Sequence, residues 1–341
     1  MKECSVTHPP QINLARLPTP LHPLPRLSAK LGVELFMKCD DLTGSALSGN
    51  KIRKLEFVLA DAVAQKADTI LTCGGAQSNH CRATAIAAAM LGLSCRLLLR
   101  TENPSSPPFP EANILLDQMA GAEIVWITPA EYKTRDEIFE REATALRTAG
   151  RKPYMIPEGA SNALGTWGYV KCSEELNNDI ANLPGGVNKD TTIISAAGSG
   201  GTCAGLILGN KIFDLNAHVI GINVCDDHDY FMRVIGEICE HAISDFQLEI
   251  DFSRDDDINI IDGYVGRGYA LSRPEELSVI CDLSRTEGIF LDPVYTGKAF
   301  FGMLQELKRD PGCFGERIIF IHTGGIYGLF PKAREIEPLL S

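Results

Sequence analysis

No stretch of this chain is apolar for the length that a bilayer span requires, so nothing in it reads as a transmembrane helix. The opening residues, Met1 to Pro10, also lack an apolar run, and no secretory signal is expected there. Paired cysteines are missing. The eleven cysteines are scattered singly, with no Cys-x-x-Cys, and none of the seven histidines is spaced beside them as in a zinc site. An odd number of thiols without a secretion signal predicts reduced cysteines, a cytoplasmic protein and no metal. Basic residues are also short: 32 Lys and Arg face 44 Asp and Glu, for a formal net charge of −12. That balance argues against nucleic acid or an anionic membrane as the main partner. Any anionic ligand must be captured by local cations. Internal repeats and low-complexity tracts are absent as well.

What is present is ordinary for a globular protein: 341 residues, 45% hydrophobic and 22% charged, enough for two domains with sizeable cores. Residues 1 to 30 are rich in proline and predict an extended arm. From there the pattern is strand then helix. Strands are expected at 33–38, 69–73, 95–99, 123–127 and 153–156. Helices are expected from Asn50 onward, at 78–90, at 111–119, and as one long charged helix over 130–149. The second half repeats this grammar, with strands at 191–195, 218–224 and 317–322. Its helices are placed at 201–208, 230–239, 274–287 and 297–307. Alternation of this kind predicts parallel sheets covered on both faces, in two α/β domains with a cleft between them.

The chemistry gathers around Ser48-Gly49-Asn50-Lys51-Ile52-Arg53-Lys54. A turn delivers Lys51 onto the first turn of a helix whose apolar positions (Ile52, Leu55, Leu59, Ala62) share one face. Burial and neighbouring cations both favour the neutral amine, which Schiff-base chemistry needs. Ser195 to Thr202 follows a buried strand and opens a helix with Gly198, Ser199, Gly200 and Gly201. Successive N–H groups at such a start make an anion nest. The Walker lysine and the Gly-x-Gly-x-x-Gly spacing are both absent, which leaves a single phosphate monoester as the better guest. Cys73-Gly-Gly-Ala-Gln-Ser78-Asn79-His80 is a second strand–turn–helix junction, ending in hydroxyl, amide and imidazole groups. Ser78 is either a helix cap or a site residue. Tyr269 and Tyr295 each stand in a glycine-flanked loop, and His322-Thr323-Gly-Gly follows the last strand.

A Schiff-base lysine together with a monophosphate nest points to pyridoxal phosphate. The motifs Gly-Asn-Lys51-x-Arg-Lys54, Gly-Gly-x-Gln-Ser78-Asn79-His80, Gly198-Ser-Gly-Gly-Thr202, Asp292-Pro-Val-Tyr295-Thr296-Gly-Lys and His-Thr323-Gly-Gly resemble the D-cysteine desulfhydrase and 1-aminocyclopropane-1-carboxylate deaminase family. The resemblance covers about residues 14 to 335. It implies a tryptophan-synthase-β-like fold, fold type II among pyridoxal-phosphate enzymes, with two three-layer α/β domains. Residues 1–47 with 163–341 would form the larger domain and 48–162 the smaller, inserted one. A homodimer acting on a small amino acid is implied too. Lys51 would bind the cofactor and move the Cα proton, Gly198 to Thr202 with Lys54 would hold the phosphate, and Asn79 would meet the ring 3′-oxygen. Ser78, His80, Tyr269, Tyr295 and Thr296 would face the substrate, and Thr323 the pyridine nitrogen. The deaminase branch has Glu and Leu where this chain has Thr296 and Thr323. A hydroxyl there leaves a weaker electron sink, which favours β-elimination of a sulfur leaving group from D-cysteine over cyclopropane opening. Arg267 stands where many relatives have proline and offers a cation for a sulfonate, so L-cysteate is the alternative substrate.

Overall fold

The computed structural model describes residues 7–340. The first of them do not stay extended. After a proline-rich lead come a short strand β1 (Leu21–Pro23), a helix α1 (Pro25–Leu31) with proline at its start, and the strand β2 (Glu34–Lys38). The part of the expected arm before Thr7 lies outside the described residues. The lysine helix α2 (Asn50–Ala64) follows, then β3 (Thr69–Gly75), α3 (Asn79–Met90), β4 (Ser94–Arg100), α4 (Ala112–Met119) and β5 (Glu123–Ile127). The charged segment expected as one helix is two, α5 (Pro129–Lys133) and α6 (Arg135–Thr148). A Thr128–Glu131 capping box starts the first, and Thr134 leaves helical geometry between them. The short strand β6 (Pro153–Met155) closes this half.

Residues 163–190 carried no expectation, yet they hold the helix α7 (Trp167–Ala181). Its start lacks a side-chain cap, and glycine stands at its second position. That glycine is used for close approach: a Cβ on Gly168 would fall 2.5 Å from the backbone carbon of Arg53 in α2. Then come β7 (Thr191–Ala197), α8 (Gly201–Ile212), β8 (Ala217–Asn223) and α9 (His228–Phe246), which Asp227 caps. Short α10 (Arg254–Asp257) and β9 (Asn259–Ile261) lead to α11 (Pro274–Glu287), α12 (Thr296–Arg309) and β10 (Arg317–Ile321).

These strands make two sheets. One has six strands in the order β1-β2-β10-β7-β8-β9, parallel except for β1, and the other has four parallel strands in the order β5-β4-β3-β6. The chain therefore begins the larger sheet, leaves it to build the smaller one, and returns. Leu277 and Ile280 of α11 pack with Phe300 and Met303 of α12 on one face of the larger sheet. Leu176 of α7, Leu206 of α8 and Ile235 of α9 cover the other. The smaller sheet lies between α2 with α3 on one side and α5 with α6 on the other. Helix α2 is shared. Its Ile52, Leu55 and Leu59 belong to the smaller sheet's core, while Phe57 belongs to the larger sheet's. Each such side chain contributes about 1.5–3 kcal/mol on burial, so the lysine is carried on a rigid support.

Candidate active site

Lys51 opens the shared helix and lines a cavity with Asn50, Asn79, His80, Gly198, Ser199, Gly200, Thr202, Tyr295 and Thr323. Among the described residues its amine makes no hydrogen bond or ion pair. Burial lowers its pKa to about 8, against the opposing pull of Glu158, Cys225 and Asp292. A sizeable share of the amine is therefore neutral near physiological pH. Lys54, one turn on, is fully buried and held well below its ordinary pKa by burial and by Lys51. Its Nζ donates only to the Ser161 hydroxyl, at 3.1 Å, among the described residues.

The glycine turn after β7 provides the complement. Gly200 adopts φ +80°, which an L side chain resists, and the ring of Tyr295 packs so closely on Gly198 that a Cβ there would lie 2.8 Å from it. Helix α8 then starts with N–H groups that have no intrahelical partner. Hydroxyls crowd the same spot. Ser161 and Ser199 share a hydrogen bond of 2.8 Å, Gly201 N donates to Ser161 at 3.3 Å, and Asn50 Nδ2 donates to Thr202 at 3.1 Å. A buried cation without a carboxylate, beside hydroxyls and a helix start, fits a phosphate group. The residues present suit a phosphate-bearing carbonyl cofactor, with Lys51 in place to hold the carbonyl carbon.

The other sequence candidates divide. His80 lines the cavity, and burial keeps its imidazole neutral, with Lys51 and Lys54 adding to the effect. Thr72 spends its hydroxyl proton on the Ile156 carbonyl, so it accepts from His80 Nε2 at 2.8 Å and leaves Nδ1 a bare acceptor. Tyr269 and Tyr295 join hydroxyl to hydroxyl at 2.9 Å, and burial raises both pKa values, so the pair is uncharged at neutral pH. Thr323 lines the cavity, and its carbonyl accepts from Asn50 N at 3.1 Å.

Three candidates are placed differently from the rest. Ser78 caps α3, its hydroxyl oxygen accepting from Cys81 N at 3.2 Å. Thr296 is wholly buried and bonded to the Asp292 carboxylate at 2.7 Å, because that carboxylate organises the start of α12. Arg267 is exposed and makes no hydrogen bond or ion pair among the described residues. A different arginine meets Tyr269: the guanidinium of Arg100, at the end of β4, lies over the rings of Tyr269 (5.1 Å) and Tyr132 (4.8 Å). Asn50, Ser161, Glu158 and Arg100 were not singled out by the sequence. Asn50 sits inside the lysine motif, and Glu158-Gly-Ala-Ser161-Asn carries a turn signal with no chemistry of its own.

The comparisons with known proteins agree with this geometry. The family described as pyridoxal-phosphate dependent enzyme matches residues 12–324. The chain is 40% identical over 333 residues to the bifunctional D-cysteine desulfhydrase/1-aminocyclopropane-1-carboxylate deaminase, mitochondrial, of Arabidopsis thaliana, covering 96% of this chain and 81% of that one. It is 39% identical over 329 residues to a D-cysteine desulfhydrase of Yersinia pestis, with coverage of 95% and 96%. A solved structure of an ACC deaminase homologue superposes with a TM-score of 0.86 at 36% identity, covering 97% of both chains. The fold is that of a pyridoxal-phosphate enzyme of fold type II, and the chain belongs to the pyridoxal-phosphate dependent enzyme family.

Proposed function

We propose that this enzyme is a carbon–sulfur lyase that eliminates the β-substituent of a three-carbon amino acid, converting D-cysteine to pyruvate, sulfide and ammonia. The observation that carries the reading is Lys51: an unpaired, desolvated amine in a cavity whose far wall is an anion nest. When bound, the cofactor supplies an electron sink for charge developing at Cα. The protein's part is positional and electrostatic. Lys51 Nζ would hold the cofactor's carbonyl carbon, and as an amine whose pKa burial lowers to about 8 it would accept the Cα proton near working pH. Lys54, Ser199, Thr202 and the start of α8 would hold the phosphate, and the joined hydroxyls of Tyr269 and Tyr295 would flank the substrate. Thr323, which lines the cavity, would offer the cofactor's ring a hydroxyl and not a carboxylate, which would suit departure of a good leaving group better than opening of a cyclopropane.

L-Cysteate is the second reading. Arg100, stacked on Tyr269 without a carboxylate partner among the described residues, is the cation that a sulfonate would meet. The layout implied by the sequence, 1–47 with 163–341 and 48–162 as the two domains, belongs to this proposal, as do a homodimer and a cytoplasmic location. Sheet membership supports the division. The test is one substrate panel of D- and L-cysteine, D- and L-cysteate, D-serine and 1-aminocyclopropane-1-carboxylate, assayed for pyruvate, sulfide, sulfite and ketobutyrate. Sulfide from D-cysteine as the fastest product is expected. Ketobutyrate as the fastest product would overturn the assignment.

A further inference from the structure

Behind the cavity-lining amide of Asn79 stands a second amide. Asn113, in the first turn of α4, is fully buried, and both ends of its side chain are engaged. Its Nδ2 donates to the Gln77 carbonyl at 3.0 Å and to Asn79 Oδ1 at 3.1 Å. Its Oδ1 accepts from Arg82 Nη1 at 3.3 Å. Arg82 is itself buried and fixed, donating through Nη2 to the Ser48 carbonyl and lying 4.9 Å over the ring of Tyr327.

The direction of this chain of bonds is dictated from one end. A guanidinium can only donate, so the oxygen of Asn113 must face Arg82. Both N–H bonds of Asn113 are then committed to the Gln77 carbonyl and to Asn79, and Asn79 must offer its oxygen in return. The NH2 group of Asn79 is left uncommitted to Asn113, 2.8 Å from where a Cβ on Gly325 would fall, on a residue that lines the cavity. Turning either amide would set donor against donor and acceptor against acceptor in a buried site. An isolated asparagine at the rim would present either end; this one has no choice.

We infer that Asn113, oriented by Arg82, is a positioning residue that holds Asn79 as a hydrogen-bond donor toward an electron-rich oxygen of the bound cofactor ring. The inference rests on the proposed function, in which Asn79 meets that oxygen. Donation there favours the oxygen's anionic form, which the visible absorption of the holoenzyme reports.

Asn113→Asp separates orientation from stability. A carboxylate satisfies Arg82 at least as well as an amide does, but it cannot donate to Asn79, whose NH2 group then turns toward it. Because the carboxylate also gives up the bond to the Gln77 carbonyl and weaker cofactor binding lowers holoenzyme stability, unfolding is read on the apo-protein, whose circular dichroism should match the parent's. Its Kd for pyridoxal phosphate rises by about tenfold to a hundredfold, and the visible band or its pH titration shifts. In an Asn79→Ala background the same substitution should add nothing to either readout. An equal effect in both backgrounds overturns the inference, as does an Asn113→Asp holoenzyme with the parent band and Kd. If Asn79→Ala alone changes neither, Asn79 does not touch the cofactor, and it is the proposed contact between them that fails. Should Asn113→Asp not fold, Asn113→Ala takes its place in the same pair of backgrounds: an effect confined to the Asn79 parent supports the inference, and an equal effect in both overturns it.

Discussion

Arg53 and Lys54 are neighbours on α2, both with no exposed side-chain surface, and the protein treats them in opposite ways. Arg53 is saturated. It binds Asp40 through Nε and Nη2 at 2.9 and 2.8 Å and Glu175 through Nη1 at 2.8 Å, while the Tyr169 hydroxyl donates to the same Asp40. Burial would raise the Asp40 carboxyl, but Arg53 outweighs it and holds that carboxyl below its ordinary pKa. Lys54 has one serine hydroxyl. A fold that can surround a buried cation with carboxylates, and does so one residue earlier, has left the second for something else. The charge missing beside Lys54 is the charge a phosphate brings. Asp40 and Asp117 repeat the contrast with the opposite sign: the first is paired, while both oxygens of the second are buried without a hydrogen-bond partner among the described residues.

The largest effect should come from the third cation of the helix. Lys51→Ala is expected to lower turnover by roughly 10³-fold or more, the range of a lost nucleophile and general base. Its circular dichroism should match the parent, and borohydride should no longer fix the cofactor to the chain. Reductive labelling that lands on Lys54 or Lys298 would show that the wrong lysine has been assigned.

Arg53→Met tests the saturated side. Removing it strands Asp40 and Glu175, and breaking a buried pair costs about 3–5 kcal/mol, which urea unfolding of the apo-protein would register. Lys54→Met is the counterpart. Its removal takes away a buried charge with no counter-charge, so apo stability should hold or rise while the Kd for pyridoxal phosphate increases by about tenfold to a hundredfold. If both variants lose similar stability and the second keeps its Kd, the two cations do not differ in the way their surroundings suggest.

Asp117 sharpens the contrast further. Burial raises its pKa to about 8, with Arg82 opposing. Between about pH 4 and pH 8 the folded chain thus keeps a proton that the unfolded chain has lost, so stability falls as pH rises through that window. Asp117→Asn removes this dependence. Its advantage over the parent should grow by up to about 1.4 kcal/mol per pH unit and level off above about pH 8. A flat difference between pH 5 and pH 8 would mean that Asp117 is ionised in the fold. The smallest effect expected is that of Arg100→Met: about tenfold in KM for L-cysteate if that substrate is turned over, with D-cysteine nearly unchanged.

Much of this was readable from sequence. β-branched and apolar runs such as Thr191 to Ser195 marked central strands, because parallel strands are buried on both faces. Glycine turns marked the nest, where Gly200 takes a positive φ, and the Asn79 rim, where a Cβ on Gly74 would fall 2.5 Å from the Ser78 hydroxyl oxygen. What was not readable depends on partners far along the chain. Helix α7 opens without a capping side chain and with a glycine that makes sense only against Arg53. Ser161 becomes a site residue only when Lys54 and Ser199 are brought to it. Thr296, conversely, looked like a substrate contact because of its place beside Tyr295, whereas the Asp292 carboxylate had claimed its hydroxyl.

Helix α2 contributes to two hydrophobic cores, and that makes the halves of this enzyme poor spare parts. A fragment cut to carry the smaller sheet alone would bring Phe57, Arg53 and Lys54 into water, an apolar patch with two cations stripped of their surroundings. A fragment carrying the larger sheet would keep Asp40 and Glu175 without the arginine they surround. Shuffling such halves between relatives would succeed only where the donor supplies the mating surface as well as the sheet. The lysine proposed to do the chemistry therefore travels with the seam between the two sheets and cannot be moved with either one by itself.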